Sequence, residues 1–157
     1  MGATNGPGER LVVACDHAGF ALKELVRAHL EARGFAVLDL GTDGEESVDY
    51  PDFGYRAAAA IAAGRASRGV IICGSGIGIS IAANRHPAAR AALCHDVTSA
   101  RLARRHNDAN LLALGARLIG PELAREIVDA FLDTAFEGGR HQRRVDKLSR
   151  PVLETAG

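Results

Sequence analysis

Three short apolar runs end in reactive residues: Cys15-Asp16-His17, Cys73-Gly74-Ser75 and Cys94-His95-Asp96. Thiols, carboxylates and imidazoles are the side chains that carry protons near neutral pH, so these ends are where acid–base chemistry would collect. Cys73 differs from the other two cysteines because it runs straight into Gly74-Ser75-Gly76-Ile77-Gly78. Glycines free that backbone to aim several N–H groups at one point where a helix begins, a place that stabilises anions. A thiol there is favoured as thiolate and becomes a proton acceptor. The same amides would hold an oxyanion formed when a proton leaves a carbon next to a carbonyl, each such donor being worth about 3 to 4 kcal/mol. Base and anion hole therefore coincide at Cys73, whereas Cys15 and Cys94 read as small buried hydrophobes that finish strands.

A second cluster lies near the C-terminus, where Arg140, Arg144 and Lys147 fall on one helical stripe. Two guanidinium forks one turn apart can clamp a phosphate dianion, although an arbitrary basic helix more often just faces water. No pair of His, Cys or carboxylate residues has zinc spacing, so no metal is expected. Dinucleotide-binding domains also open with a glycine-rich strand-to-helix turn, and Asp96 falls about 20 positions on, where such domains carry a ribose-binding acid. The spacing here is G-x-G-x-G, however, and the turn follows a third strand rather than a first.

Positioning these groups requires strands and helices in alternation, and the chain supplies them from end to end. Strands are predicted at 11–15, 35–40, 69–73, 88–94 and 111–114. Helices are predicted at 18–33, 51–66, from 74–78 toward Arg85, at 97–106, from Pro121 to Gly138-Gly139, and in the basic segment beyond. Ligands in such open sheets bind outside the carboxyl ends of the strands, which is where the three reactive ends lie.

At 157 residues the chain makes one domain, and 47% hydrophobic with 24% charged residues is an ordinary globular composition. Lys plus Arg and Asp plus Glu each number 19, so no net field draws the protein to nucleic acid or to a membrane. We expect a disordered tail at 1–9, one domain at 10–150 and a C-terminal tail at 151–157. The lack of a secretory pattern and the odd cysteine count, three, suit free thiols in the cytoplasm.

Five motifs in order carry a resemblance to a known family: Cys15-Asp16-His17-Ala18-Gly19-Phe20, Asp49-Tyr50-Pro51, the run from Cys73 to Asn84, His106-Asn107-Asp108-Ala109-Asn110 and Glu137-Gly138-Gly139-Arg140-His141. Together they resemble the family of ribose-5-phosphate isomerase B and the galactose and allose 6-phosphate isomerases, over nearly the whole chain. The resemblance implies an α/β/α three-layer sandwich on a five-stranded parallel Rossmann-like sheet of order 2-1-3-5-4, with a C-terminal helix that packs on a partner subunit.

It also implies an aldose–ketose isomerase that needs no cofactor. Cys73 would move the proton between the first two carbons through a cis-enediolate. Some members use a glutamate six residues later instead; that position is Ile79 here, so the chain is of the cysteine type. Asp16 and His106 would open the furanose ring, and Ser75 with the amides of Gly74, Gly76, Ile77 and Gly78 would hold the enediolate oxygens. His17, Arg140 and Arg144, with Arg117, would take the phosphate, while Tyr50 and Asn107 would place hydroxyls. The assembly would be a homodimer or homotetramer whose active sites are shared between subunits. Ribose 5-phosphate and ribulose 5-phosphate are the expected pair. A six-carbon aldose phosphate, a non-catalytic sugar-phosphate-binding regulator and a nucleotide-dependent oxidoreductase are the competing readings.

Overall fold

In the computed structural model, which describes residues 8–154, five strands form one sheet. They are β1 (Arg10–Cys15), β2 (Ala36–Asp39), β3 (Arg68–Cys73), β4 (Ala91–Leu93) and β5 (Leu111–Gly115), paired in parallel in the order β2-β1-β3-β5-β4. The helices are α1 (Phe20–Ala32), α2 (Tyr50–Ala62), α3 (Ile77–Ala83), α4 (Val97–Asn107), α5 (Pro121–Asp133) and α6 (Arg140–Leu148), with one 3-10 turn at His17–Gly19 before α1. The order is the one the family resemblance implies. Of the predicted tails at 1–9 and 151–157, residues 1–7 and 155–157 lie outside the described residues. Glu9, which the sequence reading puts in the N-terminal tail, pairs with Arg68 at 2.8 Å and so ties the start of β1 to the start of β3.

The central strands read as unbroken apolar runs because they are covered on both faces. Their side chains alternate between two cores with the period of two that a pleated strand imposes. Leu11, Val13, Cys15, Val70, Ile72, Leu112 and Leu114 pack against α1, α4 and α5 through Val26, Leu30, Ala100, Ile127 and Phe131. Val12, Ala14, Ile71, Cys73, Leu111 and Ala113 pack against α2 and α3 through Phe53, Ala57, Ile79 and Ala83. These are the three layers. The alternation also turns Cys15 and Cys73 to opposite faces of the sheet, although both finish a strand.

Two helices end elsewhere than the periodicity predicts. α3 begins only at Ile77 and runs 7 residues, so Gly74-Ser75-Gly76 is a turn ahead of the helix and Ile77-Gly78 opens it. α5 stops at Asp133 instead of running to Gly138. Thr134 is extended (φ −100°, ψ 124°), its hydroxyl donates to the Ala130 carbonyl, and its own carbonyl accepts from Arg104 Nε at 3.3 Å. Tertiary hydrogen bonds to α4 thus replace one further helical turn, and the connection continues along α4 with the Glu137 N–H on the Arg105 carbonyl. Among the described residues no helix is long and apolar enough to cross a membrane.

Candidate active site

The carboxyl ends of β1 and β3 lie side by side. The register pairs Cys15 with Ile72, so one step on, Asp16 comes level with Cys73, and the Asp16 N–H donates to the Ile72 carbonyl at 3.3 Å. The turn after β1 is pressed onto β3: a Cβ on Gly19 would stand 2.6 Å from the Ile72 oxygen, so only glycine fits there. Asp16 is buried and accepts from the Gly19 N–H through Oδ1 at 3.1 Å, which fixes its carboxylate on this turn.

Cys73 is 4% exposed, and its Sγ accepts the Gly76 N–H at 3.1 Å. That amide can point back at the sulfur because Gly76 is left-handed (φ 75°). Around it, Ser75 Oγ accepts the Ile77 N–H at 3.2 Å, and the Arg117 guanidinium covers Gly74, with Nη1 3.2 Å from where a Gly74 Cβ would be. The ring of Tyr50 lies over Gly78, 2.5 Å from the place of its missing Cβ. Asp16, Cys73, Ser75, Tyr50, Arg117 and Gly74, Gly76, Ile77 and Gly78 are therefore brought to one edge of the sheet.

His17 joins them through a support that its motif did not disclose. The Val48 N–H donates to His17 Nδ1 at 3.1 Å, so a neutral His17 bears its proton on Nε2 and can donate from there. The loop carrying Val48 is itself latched by Lys23 of α1. Its buried ammonium donates to Asp39 Oδ2 at 2.9 Å and to the Thr42 carbonyl at 3.2 Å. Burial alone would depress the Lys23 ammonium, but its hydrogen bonds to Asp39 and Glu24 outweigh that and hold it above the usual lysine range. A lysine in the apolar face of α1, beside Leu22 and Val26, was the available signal for this latch.

Cys15 and Cys94 behave as buried hydrophobes, and burial raises both thiols. For Cys15 the rise is from 9.0 to about 11, even against the neighbouring Lys23 charge. The fold thus holds the neutral thiol while the unfolded chain ionises first. The resulting stabilisation is complete below pH 9.0 and should be lost at about 1.4 kcal/mol per pH unit up to about pH 11. Urea unfolding across that range should fall more steeply for the wild type than for Cys15→Ala; equal slopes would contradict this account.

The remaining predicted residues are not at this edge. Helix α4 starts beyond the end of β4 and carries the chain back across the sheet before β5, so its last residues, His106 and Asn107, stand near the opposite, amino edge. There Arg90, at the start of β4, bonds the Asp108 carbonyl, and the Asn110 N–H bonds the Arg90 carbonyl. Eleven residues of helix rise about 16 Å. Arg140 and Arg144 belong to the same far group, because α6 packs on α4 with the His141 ring stacked on His106. Asn107 lines a cavity of about 400 Å³ with Asn84, Arg90 and Leu148. The residues singled out in the sequence therefore fall into two groups on opposite edges of the sheet. Asp96 caps α4, with Oδ1 2.7 Å from the Ser99 N–H and Oδ2 3.0 Å from the Ser99 hydroxyl, which leaves the nucleotide reading without a free ribose acid.

Comparison with known proteins identifies the family. A family model described as Ribose/Galactose Isomerase matches residues 11–148. Ribose-5-phosphate isomerase B of Escherichia coli is 48% identical over 141 residues, covering 90% of this chain and 95% of that protein. A D-erythrulose-4-phosphate isomerase of Pectobacterium atrosepticum is 45% identical, covering 88% of this chain and 91% of that protein. The solved ribose-5-phosphate isomerase B of Clostridium thermocellum superposes with a TM-score of 0.88 at 51% identity, over 89% of this chain and 95% of that one. The Thermotoga maritima enzyme gives 0.88 at 52%, over 90% and 97%. Matched by one family model over nearly its full length, and by solved members at about half identity, the chain belongs to the ribose/galactose isomerase family.

Proposed function

We propose that the protein interconverts ribose 5-phosphate and ribulose 5-phosphate with Cys73 as the proton-transferring base. The observation that carries this reading is the Cys73 sulfur receiving the Gly76 amide proton at 3.1 Å, at the strand end to which the register also brings Asp16. The likeness to the Escherichia coli enzyme supports the choice of pentose phosphates.

The cyclic aldose has no carbonyl, so its ring must open before any C–H next to a carbonyl becomes acidic. His106 and Asp16 serve that step by moving a proton from the anomeric hydroxyl and onto the ring oxygen. The Cys73 thiolate then takes the proton from C2 of the open aldehyde. The electron pair passes into a cis-enediolate whose oxygens lie against Ser75 and the amides of the 74–78 turn. Return of the proton to C1, with transfer of the hydroxyl proton from O2 to O1, completes the ketose. One carbon is reduced as its neighbour is oxidised, so no cofactor is required. His17, Arg117, Arg140 and Arg144 hold the phosphate, and Tyr50 and Asn107 orient hydroxyls, so binding away from C1 and C2 serves positioning.

Because His106, Asn107, Arg140 and Arg144 stand at the edge opposite Cys73, a second copy must supply them. The working unit is a homodimer or a homotetramer, and α6 is the helix that reaches the partner. We assign it to the cytoplasm as an enzyme of small-molecule sugar phosphates, without nucleic-acid or membrane partners.

The test is turnover of a panel of four-, five- and six-carbon aldose phosphates in D₂O. Ribose 5-phosphate should turn over best, with deuterium entering at C1 of the ketose. Binding of ribose 5-phosphate without turnover or exchange would identify a regulator, and faster conversion of allose 6-phosphate would move the assignment to six carbons.

A further inference from the structure

The His106 and His141 rings lie face to face, with centroids 4.5 Å apart and planes within 14°. His141, in the first turn of α6, is 6% exposed, while His106 in the last turn of α4 is half-buried. Glu137 Oε2 stands 3.6 Å from His141 Nε2, and Glu137 is anchored in turn by its N–H on the Arg105 carbonyl at 3.1 Å and by Arg105 Nε at 3.8 Å. Arg104 clamps the same corner through Asp108 and the Thr134 carbonyl. The His141 ring is thus buried between Glu137 and His106, whereas His106 is only half-buried.

Ligating atoms of His106, Glu137 and His141 lie within 4.8 Å of one another, which raises the question of a metal. Stacked rings answer it unfavourably. An ion must lie in the plane of each imidazole about 2.0 to 2.1 Å from nitrogen, and parallel stacked rings direct their lone pairs alongside each other rather than at one point. Arg105, Arg140 and Arg144 add positive charge around the cluster.

Resting on the proposed role of His106, we infer that His141 is a positioning residue for ring opening: its ring, packed flat against His106, holds that imidazole in the orientation from which it exchanges a proton with the sugar. A half-buried imidazole on two free torsions samples many directions, and proton transfer falls off sharply when the donor is misplaced by an ångström. Burial, then the neighbouring His106 and Arg140, hold His141 below the ordinary histidine range.

Substrate form separates this role from a general structural one. Ribose 5-phosphate is cyclic in solution, whereas ribulose 5-phosphate, with its C5 oxygen esterified, cannot close a five-membered ring. Solvent deuterium exchange at C1 of ribulose 5-phosphate therefore reports Cys73 chemistry without ring opening. In the full-length protein, His141→Ala should lower kcat for ribose 5-phosphate about tenfold or more, with KM and the C1 exchange rate little changed. His141→Phe, which restores a flat ring without ionisable nitrogens, should recover most of the loss. Parallel losses in turnover and exchange, a selective rise in KM, or a Phe variant as poor as the Ala variant would overturn the inference. His106→Asn, measured alongside, isolates the underlying reading. If it does not lower ribose 5-phosphate turnover selectively, the role of His106 is wrong; if it does while His141→Ala is silent, only the inference about His141 fails.

Discussion

Cys73→Ala should lose turnover of ribose 5-phosphate by about three orders of magnitude, at the upper part of the range typical for removing a general base. Cys73→Ser should fall nearly as far, because a hydroxyl in the same place is a poor proton acceptor at neutral pH. Binding should persist in both, since the phosphate ligands and the 74–78 amides are untouched, so the loss should appear in kcat and not in KM. Stability should change little: the side chain is small, and the turn keeps its shape through Gly76 and through the Arg117 N–H on the Gly74 carbonyl at 3.0 Å. C1 exchange in ribulose 5-phosphate should disappear together with turnover. A Cys73→Ala protein that remains folded and turns over at the wild-type rate would remove Cys73 from the chemistry.

The second large effect is a recovery. Cys73→Ala and His106→Asn should each be almost inactive alone. In a two-fold dimer with sites completed across the interface, a hybrid of the two has one site built entirely from intact residues and one lacking both. Co-expressing differently tagged chains and purifying the hybrid should therefore yield about half the wild-type specific activity from two inactive parents. The expectation follows from the path of α4, which carries His106 to the amino edge of the sheet while Cys73 remains at the carboxyl edge. A hybrid as inactive as its parents would mean that each chain acts alone, and the placement of His106 and α6 in a neighbour's site would have to be abandoned. Arg144→Ala in place of His106→Asn should complement Cys73→Ala in the same way, because Arg144 travels on α6 with the same half-site.

Much of this was legible before any coordinates. The alternation of strand and helix, the double-sided burial of β1, β3 and β5, and the gathering of Cys15-Asp16-His17 and Cys73-Gly74-Ser75 at strand ends all follow from local pattern. Residue types repeat with the period of the element they build, and turn glycines mark where an element stops. The motifs, through the family they resemble, added the order 2-1-3-5-4. The helix ends were less legible. α5 closes at Asp133 because Arg104, some 30 positions earlier, takes the Thr134 carbonyl, and a window on the helix itself holds no trace of that competitor.

The sequence by itself determined which residues can do chemistry and which element carries each of them. Spacing within a strand or a helix converts directly into a face and an end. What only the tertiary structure decided is which of those ends meet. The register of β1 on β3 sets Asp16 beside Cys73, while the return of α4 sends His106 to the other edge. Packing of α6 on α4 then stacks His141 on His106 and brings in Glu137, whose motif was visible but whose purpose was not. Such contacts join residues far apart in the chain, and they are decided by which apolar faces bury one another rather than by any repeat a neighbouring residue could reveal.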